Sequence, residues 1–218
     1  MLRFMSQEKY SARELIGYEL FLRELKEGQW VFPKDFGKFS PKDIASLLVS
    51  TIKSLPDSIQ LVSLNLDQPQ FIDSQYATEL GAAQRDCPDT QIIVELTEHK
   101  YGINIGQLRS AASALQQQRL WVCLDDVGTG ANDITLAEQM SDVVQEYKFA
   151  LQNFRGKRDF ITSVSPQLQF WWEQARINNT FLAIEGFEAQ SDLKVATNYP
   201  ADIVQGYYFG RPRLTELE

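Results

Sequence analysis

The stretch Leu120–Gly130 reads LWVCLDDVGTG, an apolar run that stops at two adjacent carboxylates and turns at once between glycines. Successive side chains on an extended strand point to opposite faces, so Asp125 and Asp126 serve one site only where the strand is becoming a loop. Gly128 and Gly130 permit that turn. Adjacent carboxylates repel, and their charge has to be met by a metal ion, by a cation or by a proton. For one isolated pair, a solvated loop after a core strand is an equally good reading.

The pattern recurs, and the recurrence decides the fold. LIGYELFLR carries Glu19, IQLVSLNLD carries Asn65, TQIIVELTE carries Glu95, NTFLAIEGFE carries Glu185, and ADIVQGYYFG places Gln205 just before Gly206. Each is a β-type run ending in a carboxylate or amide. Parallel strands that alternate with helices and gather polar residues at their carboxyl ends form the active face of a (β/α) barrel. Six such ends in one chain are hard to explain as solvated loops. The expected fold is therefore α/β, a TIM-like (β/α)8 barrel, in a single domain over residues 1–218.

Between these runs the spacing is helical. A helix beginning at Ser40 or Asp43 covers IASLLVSTIKSL, and others are expected over Ser74–Arg85, Ile105–Gln118, Ala131–Met140 and Pro166–Asn178. Strands are expected over Leu2–Met5, Leu15–Leu22 and Val143–Phe149, with a loop at Asp67–Ile72. The Phe170, Trp171, Trp172 cluster reads as core or as a dimer contact. A chain of 218 residues, 44% hydrophobic, can bury one substantial core.

The formal charge of −8 excludes a groove for a nucleic-acid polymer, which needs clustered Lys and Arg. It leaves room for a phosphodiester ligand held through divalent cations. His99 is the only histidine, which removes histidine-based zinc chemistry; beside Glu98 it reads as a loop residue. Cys87, in a polar loop, and Cys123, in a strand, have no metal-ligand spacing and read as reduced thiols. No run reaches the roughly 18 apolar residues of a membrane span, and MLRFMSQEKY lacks the apolar centre of a signal peptide, so a cytoplasmic protein without membrane contact is expected.

The ordered set GYELFLR from Gly17, NLD from Asn65, ELTE from Glu95, DDVGTG from Asp125, IEGFE around Glu185 and QGYYFGRP from Gln205 resembles the EAL domain family. That family hydrolyses the bacterial second messenger cyclic di-GMP. The resemblance spans nearly the whole chain. It implies that Glu19, Asn65, Glu95 and Asp125 ligate a first Mg²⁺ or Mn²⁺, and that Asp125 and Asp126 hold a second ion close by. Oxygen donors of this kind suit such hard cations. A water shared between the ions would attack one phosphorus in line, giving linear pGpG. The resemblance further makes Lys148 the lysine that positions or activates the water, with Glu185 completing the metal and water network and Gln205 supporting it. It gives Arg23 a substrate phosphate, Glu98 the ordering of the DDVGTG loop, and the chain as a whole a family habit of homodimerisation near that loop.

The chain departs from the family pattern in three places. Ala150 stands two residues after Lys148, where an aspartate is usual. Met5, Ser6 and Gln7 replace a QPI-like start, removing a glutamine expected on a guanine base. Phe21 occupies a leucine position. They leave a second reading beside the phosphodiesterase, an EAL-like protein that is catalytically weak or inactive and acts as a cyclic di-GMP receptor or protein-interaction module.

Overall fold

A computed structural model describes residues 1–156 and 160–217. The chain opens with a hairpin, β1 (Leu2–Ser11) and β2 (Glu14–Lys26), followed by a short edge strand β3 (Gln29–Val31). Then come α1 (Pro41–Ser54), β4 (Leu61–Leu66), α2 (Gln68–Phe71), α3 (Ser74–Asp86), β5 (Gln91–Leu96), α4 (Ile105–Gln117) and β6 (Trp121–Leu124). The last part runs α5 (Ile134–Met140), β7 (Glu146–Ala150), α6 (Phe160–Asn178), β8 (Phe181–Glu185), α7 (Leu193–Asn198), β9 (Ile203–Gln205) and β10 (Arg213–Leu214).

Among the described residues the sheet order is β10-β1-β9-β8-β7-β6-β5-β4-β2-β3, and the additional β1–β2 pairing closes a barrel of β1, β2 and β4 to β9. From β2 through β4 to β9 every barrel pairing is parallel. The expected barrel is thus present, with one difference: β1 runs antiparallel to both β2 and β9. The reason is local. Only Ala12 and Arg13 separate the two strands, both at positive φ (47° and 79°), the geometry of a two-residue hairpin turn. A parallel crossover needs a dozen residues or more.

The helices follow the sequence signals. Ser40 caps α1 by accepting from the Asp43 amide, Pro41 opens the first turn, and Ile44, Ala45, Leu48, Thr51 and Ile52 form the buried stripe. Where a loop was expected at Asp67–Ile72, Asp67 instead starts the single turn α2. The first strand is longer than Leu2–Met5, and α6 starts before Pro166, which lies inside it. Trp171 is core, packed edge-on against Tyr147, whereas Phe170 is 39% exposed. Cys87 lies just past the end of α3 and is buried, and Cys123 is buried as expected. No helix among the described residues is long and apolar enough to cross a membrane.

Candidate active site

The strand phase points one side chain in two into the barrel. Within it, Ile16, Leu61, Ile93, Cys123, Ala183 and Ile203 pack as an apolar cluster. Towards the strands' carboxyl ends the interior becomes polar and opens into a cavity of about 590 Å³. Glu19, Asn65, Asp125, Asp126, Lys148, Glu185, Gln205 and the rim residues Glu98 and His99 line it. A cavity of that size is ordinary for a small-molecule ligand.

Lys148 is the hub. Its ammonium is 1% exposed and lies 3.2 Å from Glu19, 3.1 Å from Asp125 and 3.4 Å from Glu185, with Glu95 Oε2 bonded to it directly. Burial alone would favour the neutral amine, but Asp125, Glu185, Glu19 and Glu95 outweigh it and hold the lysine pKa well above its ordinary value. The carboxylates diverge in response. Glu95 is held below the usual range because Lys148 and Lys9 together overcome its burial. Burial pushes Glu19 and Asp125 up, and neighbouring carboxylates add to the rise. Asp126, buried near Glu185 and Glu98, is pushed up to about 7.

The DDVGTG loop is built by its backbone. Asp126 (φ 48°), Gly128 (φ 87°) and Gly130 (φ 52°) take left-handed conformations, and Asn132 Nδ2 donates to the carbonyls of Leu96 and Asp125. At Gly130 an added Cβ would lie 2.1 Å from the Glu98 carbonyl oxygen, so the loop can approach β5 only with glycine there. That same carbonyl accepts from the Ala131 amide at 2.7 Å. Glu98 therefore meets the loop through its backbone, while its side chain lies 3.6 Å from His99 Nε2.

Two atoms fit the donor set of a divalent cation. Asn65 Nδ2 donates to Glu19 Oε1 at 2.7 Å, and Asn65 Oδ1 is buried without a hydrogen-bond partner among the described residues. Asp126 Oδ1 is buried and unpartnered in the same way. Buried acceptors are seldom left unpaired. Asp125, Asp126 and Glu185 can each present an oxygen within 4.8 Å of the others. Gln205 Nε2 donates to Glu19 Oε2 at 2.7 Å and so steadies that carboxylate.

Arg23 lies apart from this group. Its guanidinium sits under the Phe32 ring, 3.5 Å from the centroid, and donates to the Leu22 carbonyl. Phe32, 58% exposed, lines the cavity in front of it. Four residues with no assigned role in the sequence reading also enter the site: Gln7, Gln152, Lys9 and Asn132. Gln7 is buried, lines the cavity and accepts from Gln205 at 3.2 Å, so a glutamine does reach the interior from β1, two residues after Met5. Gln152 donates to Glu185 from the turn after β7. Ala150, where the carboxylate is missing, is buried and paired with Glu185 across β7 and β8.

No sequence-family model matches the chain, and no curated protein matches it in sequence. Solved structures do match. The PaMucR phosphodiesterase in complex with c-di-GMP superimposes with a TM-score of 0.77 at 19% identity, over 98% of this chain and 97% of that one. This chain has the fold of an EAL domain. A standalone EAL protein from Vibrio cholerae O395, with c-di-GMP bound, gives a TM-score of 0.74 at 16% identity over 100% and 94%. The Bacillus subtilis YkuI protein, whose EAL domain was solved with c-di-GMP and calcium, gives 0.76 at 18% identity; the match covers all of this chain and 56% of YkuI.

Proposed function

We propose that this chain is a member of the EAL family, a cytoplasmic phosphodiesterase that hydrolyses cyclic di-GMP to linear pGpG with Mg²⁺ or Mn²⁺. The observation that carries the reading is the convergence of Glu19, Asn65, Glu95, Asp125, Asp126 and Glu185 around one buried lysine, with Asn65 Oδ1 and Asp126 Oδ1 unpartnered among the described residues.

Glu19, Asn65, Glu95 and Asp125 would hold one cation, and Asp125 with Asp126 a second. Bound there, the ions would supply Lewis-acid stabilisation of the phosphodiester oxygens and a water acidic enough to ionise near neutral pH. The residues of the chain do the rest. Lys148 keeps its proton, so it acts as a fixed cation that orients water and offsets charge developing on phosphorus, not as a base. Glu185, held by Gln152, accepts a hydrogen bond from the attacking water and orients it. Gln205 and Asn65 lock both oxygens of Glu19. Arg23, stacked behind Phe32 at the cavity edge, is the residue for a substrate phosphate, and Glu98 holds the Asp126 loop against β5.

One observation favours a cyclic di-GMP receptor instead: Ala150 puts a methyl group opposite Glu185 where a further carboxylate would strengthen the second cation position. Incubating the protein with cyclic di-GMP and Mg²⁺ or Mn²⁺, with an EDTA control, separates the two. Metal-dependent pGpG is the expected result. Intact nucleotide that nevertheless binds by calorimetry would establish the receptor.

A further inference from the structure

Beneath the carboxylates lies a second buried ion pair, Lys9 and Glu146, both side chains 0% exposed. Lys9 points inward from β1 at the level of Gln205 on one side and Gly17 on the other. Its Nζ is 2.7 Å from Glu95 Oε1 and 3.6 Å from Glu146 Oε1. Glu146 Oε1 also lies 3.7 Å from Cys123 Sγ, and its Oε2 has no partner among the described residues.

Burying a lysine and a glutamate inside a barrel is costly, and well-packed apolar residues of similar volume commonly stabilise as much or more. The neighbouring interior cluster of Ile16, Leu61, Ile93, Cys123, Ala183 and Ile203 is filled in that apolar way. The pair therefore calls for a reason other than packing, and Glu95 supplies it. One oxygen of Glu95 is taken by Lys9, and the other, Oε2, by Lys148 from the cavity side.

We propose that Lys9 is a positioning residue that fixes Glu95 as a one-oxygen ligand for a divalent cation, with Glu146 as its counter-charge. The inference rests on the metal-binding reading of the site. Lys9 holds Oε1 and prevents chelation through both oxygens, so a cation would reach Glu95 only through the second lone pair of Oε2, beside the Lys148 ammonium. Because Lys9 and Glu146 cancel in charge, the pair sets the orientation of Glu95 without changing the net charge presented to the ion. Partners that orient a ligand from behind typically matter about 10–100-fold in metal affinity.

The test is Mn²⁺ calorimetry on the nucleotide-free protein, with folding followed by circular dichroism. Glu146→Gln keeps the Lys9–Glu95 bond but leaves the Lys9 charge uncompensated beneath Glu95, so it is expected to bind Mn²⁺ more weakly than the unmodified protein; unchanged affinity removes Glu146 as the counter-charge. Lys9→Met combined with Glu146→Gln removes the pair without stranding a buried charge, and is expected to bind roughly 10–100-fold more weakly. A folded double variant with unchanged Mn²⁺ affinity overturns the role of Lys9 and leaves the proposed function standing. Absence of Mn²⁺ binding by the unmodified protein overturns the metal reading and Lys9 with it. If the double variant does not fold, lysine side-chain ¹⁵N spectra of the unmodified protein decide: on Mg²⁺ addition the Lys9 ammonium signal stays protected from exchange while that of Lys148 shifts. Loss of protection at Lys9 rejects the proposal.

Discussion

Asn65 gives its amide nitrogen to Glu19 over 2.7 Å and thereby commits its carbonyl oxygen to a buried position with no donor among the described residues. Asn65→Ala removes an oxygen and a support for Glu19 together. Mn²⁺ affinity is expected to fall by about tenfold or more, measured by calorimetry. Asn65→Asp places a further carboxylate against Glu19, so its Mn²⁺ binding should shift to higher pH. Wild-type metal binding in the alanine variant would reject Asn65 as a ligand.

Asp125→Asn is nearly isosteric and removes one carboxylate from a group whose members already repel. Cyclic di-GMP turnover is expected to drop by orders of magnitude. The melting temperature of the metal-free protein should stay within about 4 °C, the shift for roughly 1 kcal/mol in a chain of this size. Near-normal turnover would remove Asp125 from the mechanism.

Asp126 carries its pKa up from an ordinary 3.8 to about 7, chiefly through burial and then through Glu185 and Glu98. The folded state therefore binds a proton more tightly than the unfolded chain. Its contribution to stability is fully present below about 4 and is lost as pH rises towards 7. In EDTA, melting temperature should fall across that window, and Asp126→Asn should flatten the fall. Saturating Mn²⁺ should restore stability at the upper end, with release of protons on binding.

Arg23 is expected to bind substrate in the ground state and transition state alike. Arg23→Ala should raise KM for cyclic di-GMP with little change in kcat, the signature of lost uniform binding. A fall in kcat at constant KM would assign Arg23 to the chemical step.

Asn65, Glu95, Asp125 and Glu185 were legible because each stands at or near the end of an apolar run, whereas Glu19 lies in the middle of β2; all five reach one cavity or its floor. Lys148 followed from the family pattern. Lys9 and Glu146 were not legible, since a charged residue within a strand reads as solvent-facing until the barrel closes around it. The antiparallel start was hidden because Ala12 and Arg13 lack the Asn-Gly signature of a tight hairpin. The turn α2 is too short for periodicity to show. Gln152 lies in a short 3₁₀ turn, Leu151–Phe154, after β7, and only the closed barrel sets it against Glu185.

The seam that closes the barrel joins residues far apart in the chain: Lys9 pairs with Gln205, and Met5 with Leu214. During synthesis from the amino end, β1 has β2 alone as a partner until residues 203–214 have left the ribosome. Loop-closure entropy makes so distant a pairing slow. The pocket, which takes Gln7 from one side of the seam and Gln205 from the other, is thus among the last features of the molecule to exist, and a nascent chain lacking its final strands can have the acids without the site.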